Sequence, residues 1–147
     1  MPILSGPMKR SIMARIASLS LGDDVQVART LPAEPERKCV YGGRVRWSQR
    51  EITDQKAMVF VQTITFEVRV RVLDLGDDVD GTEAEAERIL SAISDGVVAA
   101  PSLVGTVGTL VASAGDQDPT MLAPGPEPSV VANLSVTFVV TVTTGGR

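Results

Sequence analysis

Two stretches of the chain alternate apolar and polar residues with the period of a half-buried strand. In residues 58–72, Met58, Phe60, Ile64, Phe66, Val68, Val70 and Val72 share one parity, interrupted at Gln62. Thr63, Thr65, Glu67, Arg69 and Arg71 occupy the other. Residues 130–143 repeat the pattern with Val130, Ala132, Leu134, Val136, Phe138, Val140 and Val142. Such rows predict antiparallel strands with one face on a core. A spacing of three to four marks two helices. Met8, Ile12, Ile16 and Leu19 form the face of a short one, with Ser5 as N-cap, Pro7 in the first turn and Gly22 at its end. Ala86, Ile89, Leu90, Ile93 and Val97 form the face of the second, which follows Gly81. Thr82 and Glu85 supply a T-x-x-E capping box, Glu83, Glu85 and Glu87 suit the positive end of the dipole, and Pro101 closes the region.

Shorter signals complete the outline. Residues 25–29 predict a brief strand, followed by a turn region with Pro32 and Pro35. Residues 38–52 look extended, with a bulge or bend at Gly42–Gly43, and residues 53–56 form a hairpin loop to the long strand. Residues 106–113 predict another strand. Between it and the last, residues 115–129 hold Pro119, Pro124, Pro126 and Pro128 and predict a loop long enough for a contact role. The fold class is α+β: a mixed, mainly antiparallel sheet with a long β-hairpin and two flanking helices. Residues 1–147 read as one domain with a flexible end at 144–147.

The element lengths do not match. A strand over residues 58–72 spans about 50 Å, whereas a helix over residues 83–99 covers only about 25 Å. Either the strands bend over themselves or part of the apolar row is covered by a second subunit, since long exposed edges invite aggregation. Val59 and Val61, on the polar parity, are expected to be covered by a neighbouring copy or another protein.

Composition removes most chemistry. Apolar residues make up 44%, aromatics only 3%, and there is no histidine. The commonest general base and metal ligand are thus missing. A single cysteine, Cys39, excludes an internal disulfide and a cysteine-built zinc site, and without histidine it reads as an inert buried thiol. No cofactor is expected, and an enzyme is improbable. No apolar run reaches the ~20 residues of a membrane helix, and residues 1–9 lack a signal-peptide core, so a soluble protein folding in a cytoplasm is expected.

One acidic run resembles a calcium loop, with Asp78, Asp80, Gly81 and Glu87 in ligand or turn positions. Gly76 stands where the first ligand should be and Glu83 where an apolar residue should pack, so a capped helix start is the better account. Gly42–Gly43 and Gly145–Gly146 lack the spacing and the following helix of a phosphate cradle.

Charge is divided along the chain. Residues 1–71 carry 12 Lys/Arg against 7 Asp/Glu, a balance of +5, and residues 72–147 carry 2 against 11, a balance of −9, which together give the net −4. Arg44, Arg46 and Arg50 alternate along one strand, and Arg69 and Arg71 stand on its hairpin partner. Few stacking aromatics accompany them and the pI is about 4.8, which opposes a nucleic-acid surface. The alternatives are a solvated strand face or a basic strip that meets an acidic neighbour. In the second case Arg46, Arg50, Arg69 and Arg71 contact a surface of residues 74–87, including Asp77, Asp78 and Asp80, or of residues 116–127, in the next copy.

The order of elements, with DVQVARTLP at residues 24–32, VYGGRV at 40–45, TITFEVRV at 63–70 and EAEAERIL at 83–90, resembles the tail terminator (tail completion, head-tail joining) proteins of long-tailed bacteriophages, particularly those of actinobacterial phages. The likeness spans residues 8–143 and lies in length, order and texture. It implies a mixed sheet flanked by helices and a ring of six copies, a hexamer seated on the last ring of tail tube protein. Such a ring ends tube growth and offers a surface to the head-tail connector or stopper protein. It also implies a place in the virion at the neck end of the tail, assembly in the host cytoplasm, and genomic DNA passing through the lumen without specific binding. No membrane contact and no catalytic residue are implied. The alternatives are a small ferredoxin-like ligand-binding or regulatory module, and another ring protein of the phage neck or tail tube.

Overall fold

A computed structural model describes residues 3–54, 57–99 and 108–146. The elements run α1 (Ser5–Ala17), β1 (Val25–Ala28), β2 (Lys38–Asp54), β3 (Ala57–Leu75), α2 (Val79–Val98), β4 (Gly108–Gln117), β5 (Met121–Ala123) and β6 (Ser129–Gly146). The strands form one mixed sheet in the order β1-β2-β3-β6-β4, with β5 also paired to β6. β1 runs parallel to β2, and every other pairing is antiparallel.

Both helices lie on one face of the sheet, and the alternation explains why. Ile64, Phe66, Val68, Val70 and Val72 of β3 and Ala132, Leu134, Val136, Phe138, Val140 and Val142 of β6 are buried in one cluster. Met8, Ile12, Met13 and Ile16 of α1 and Ala86, Ile89, Ile93 and Val97 of α2 complete it. Phe66 and Phe138 face each other across the β3–β6 register, both fully buried. Phe60, expected in the core, is only half-buried, because it lies beyond the reach of the helices.

The Gly42–Gly43 break is a bulge, with the β2–β3 register shifting between Gly42 and Val45. Each glycine makes room on a different face. A Cβ on Gly42 would lie 2.5 Å from the Arg29 carbonyl oxygen, and one on Gly43 would lie 2.5 Å from Glu67 Oε1.

Several boundaries differ from expectation. α1 is capped at Leu4 without a side-chain bond, so Ser5 is its first residue and not its cap. Gln62, the polar interruption in the β3 row, instead accepts from the Leu4 N–H at 2.7 Å and ties the helix start to the sheet. α2 begins one turn earlier than the T-x-x-E pattern suggests. Asp78 is the cap, accepting from the Gly81 N–H at 2.9 Å, and the Thr82 hydroxyl donates back to the Asp78 carbonyl. Glu85 is drawn away to Lys38 and Arg88.

Residues 115–129 are not one loop. β4 extends to Gln117 and β5 pairs with β6 at Met121–Val131, Leu122–Val130 and Ala123–Ser129, while the prolines sit between the strands. The end expected to be flexible is drawn into β6 as far as Gly146, because β3 is long enough to pair it, with Val59 opposite Gly145. The hairpin tip at residues 55–56, Pro101, the first two residues of the strand expected at 106–113, and Arg147 lie outside the described residues.

Candidate functional site: an open, arginine-bearing sheet face

Register sorts the basic residues. In the β2–β3 pairing, Tyr41 is opposite Arg69, Arg46 opposite Thr65, Ser48 opposite Thr63, and Arg50 opposite Val61. Directly paired residues point to the same side of a sheet. Odd-numbered β3 residues face away from the helix-packed row, so Arg46, Arg50, Arg69 and Arg71 all stand on the face that neither helix covers. β6 continues this face with Asn133, Ser135, Thr137, Val139 and Thr141. Val59 and Val61 belong to it and are half-buried. The outer part of β2 is exposed throughout residues 46–52, including Trp47 at 46% and Ile52 at 41%.

Beside the bulge this face is hollowed, with Tyr41, Arg44, Arg46, Glu67 and Arg69 around the depression. Arg69 is engaged within the chain: its Nε donates to Glu67 Oε1 at 2.7 Å, and its NH1 lies 3.8 Å from Asp118. The Glu67 carboxylate raises the Arg69 pKa above its ordinary value. Among the described residues, no ion pair joins Arg44, Arg46, Arg50 or Arg71 to a carboxylate.

The acidic residues singled out in the sequence lie elsewhere. Asp77, Asp78 and Asp80 stand at the start of α2, the helix that packs on the opposite face. Within one chain they are not brought to the arginines. Asp78 is engaged as the α2 cap, and positions 79–90 are already helical, which is not the twelve-residue loop of a calcium site. Asp77 and Asp80 are exposed.

A second charged feature escaped the sequence reading. Lys38 Nζ lies 2.9 Å from Asp24 and 3.3 Å from Glu85, and Arg88 joins Glu85 to the Leu21 carbonyl. The Lys38 hydrogen bond lowers the Asp24 pKa, Arg88 and then Lys38 lower that of Glu85, and Asp24 raises that of Lys38. This chain fastens α2 to β2 across a cleft, so its charges are engaged with one another. Its partners are 47 residues apart at Lys38 and Glu85, too distant for local pattern to pair. Cys39 is buried, and burial pushes its thiol pKa up, away from the reactive thiolate. Among the described residues, no helix is long and apolar enough to cross a membrane.

No protein-family model matches the sequence, and no curated protein sequence matches it. The fold itself has a counterpart. A solved chain from the virion of a native gene transfer agent particle is similar to this one at a TM-score of 0.56 and 18% identity, over 98% of this chain and 100% of that one.

Proposed function

We propose that this chain is a non-enzymatic structural subunit of a phage-type particle, and that it caps the tail tube as a ring of six. The observation that carries this is the fold shared, over nearly the whole of both chains, with a component of a gene transfer agent virion. Two features of the chain agree with it. β3 is 19 residues long, about 60 Å, whereas the 20 residues of α2 cover about 30 Å. Toward its far end, Val59, Phe60 and Val61 are only half-buried. The open face and the acidic helix start also give the subunit two unlike surfaces, as head-to-tail closure requires.

The mechanism is geometric. One ring face repeats the contacts that tube subunits make with each other, and the opposite face withholds them and meets the connector or stopper protein. Carboxylates lining the lumen would repel the phosphates of passing DNA. The particle is assembled in the host cytoplasm, and no step needs a cofactor. A ferredoxin-like ligand module fits less well, since the order here is helix-strand-strand-strand-helix-strand-strand-strand and not β-α-β-β-α-β. Deleting the gene from its particle-producing genome tests the proposal: over-long tails without heads are expected. Tails of normal length joined to heads would overturn it, and would turn attention to another ring of the neck or tube.

A further inference from the structure

The open face and the acidic helix start each contain charges already neutralised and charges left over, and the division is specific. On the open face Arg69 is held by Glu67 and Asp118, whereas Arg44 and Arg46, around the same hollow, have no carboxylate among the described residues. At the start of α2, Asp78 caps the helix, Glu83 accepts from the Thr120 hydroxyl, and Glu85 binds Lys38 and Arg88. Asp77 and Asp80, and Glu87 two turns further along α2, are exposed and without an ion-pair partner among the described residues; Asp77 and Asp80 stand together at the helix start. Asp116 cannot serve in their place. It is opposite Ser135 on the open face itself, on the side already occupied by Asp118 and Arg69.

We infer that the hollow beside the Gly42–Gly43 bulge is a carboxylate-binding site for a second copy of this chain, in which Arg44 and Arg46 receive Asp77 and Asp80 of that copy. The guanidinium groups stand on the face without helices and the carboxylates on a helix of the other face, so the pairing forms between copies. Each copy then offers one hollow and one acidic corner, the head-to-tail contact from which the ring proposed above is built. Gly43 and Glu67 make the site usable: the carboxylate fits only because Gly43 has no Cβ, and it holds Arg69 so that Arg69 does not compete for the incoming acid. This inference rests on the ring proposed above and specifies its seam.

The test is charge reversal with compensation in the full chain, read by sedimentation at low salt. The wild-type chain should associate into a closed ring, less so as salt rises. Arg44→Glu with Arg46→Glu should weaken association roughly tenfold or more, and so should Asp77→Arg with Asp80→Arg. The chain carrying all four reversals should recover it. Arg46→Gln and Asp80→Asn, which are exposed and gentle, give the same direction if a reversal impairs folding. A wild-type ring untouched by either reversal, or weakened by each without recovery in the fourfold variant, overturns the seam and leaves the ring standing. A wild-type chain that stays monomeric with and without tail tube protein overturns both.

Discussion

The two faces of the sheet are built from the same strands, residue by residue, and obey different rules. On the helix-covered face, Ile64, Phe66, Val68 and Val70 are sealed to within 1% exposure. On the other, Thr63, Thr65, Glu67, Arg69 and Arg71 remain half-exposed. The first face is closed by α1 and α2 and makes the subunit stable. The second is finished chemically but not sterically, with threonine hydroxyls, paired charge and unpaired charge side by side. A period of two thus separates a sealed face from an open one within the same strands.

That contrast can be broken by substitution at adjacent positions. Phe66→Ala should leave a cavity opposite Phe138 and cost ~3–5 kcal/mol, while Thr65→Ala, the neighbour pointing outward, should stay within about 0.5 kcal/mol. Denaturant unfolding of both variants checks the pair, and similar losses would erase the distinction between the faces. Next in size is Gln62→Ala. It removes the acceptor for the part-buried start of α1 and should cost about 1–3 kcal/mol, since the Leu4 N–H is left without it. Loss of amide-exchange protection confined to residues 4–8 would sharpen the assignment.

The smallest effect concerns the Asp24–Lys38–Glu85–Arg88 chain. Glu85 titrates below its ordinary value in the folded protein, so its contribution is present at neutral pH and fades as pH falls through that lowered value. Lys38 is shifted upward, and its share is lost only well into the alkaline range. Glu85→Gln should therefore lower the melting temperature slightly at neutral pH and leave it nearly unchanged in acid. An equal drop at both would remove the charge explanation. These groups lie at or near the surface, so solvent screening keeps the total small.

Much of the covered face was legible because a two-residue period is a local property. The rows of β3 and β6, the bulge at Gly42–Gly43 and the inner face of α2 all follow from residues close in sequence. What escaped depends on distant partners. Gln62 appears as a flaw in its row until Leu4, 58 positions earlier, is brought beside it. The α2 start reads as the Thr82–Glu85 pair, whereas Asp78 is the cap and Glu85 is paired with Lys38 and Arg88. β5 looked like part of a proline-rich loop because three residues make a strand only when β6 is there to receive them. The candidate site was legible as a cluster of basic residues on one strand face. The Glu67–Arg69 pair is local, but the second carboxylate near Arg69, Asp118, comes from a separate segment across the sheet and was not legible.

The position of β6 has a consequence for the order in which the subunit can be made. It is the latest strand along the chain, yet it lies between β3 and β4. The β2–β3 hairpin and α2 can organise while the chain is still growing from a ribosome, but β3 and β4 have no common neighbour until β6 arrives. The register then fixes residues as far apart as Met58 and Gly146 in one step, the kind of long-range closure that folds slowly. A chain without β6 therefore has neither a finished core nor a complete open face.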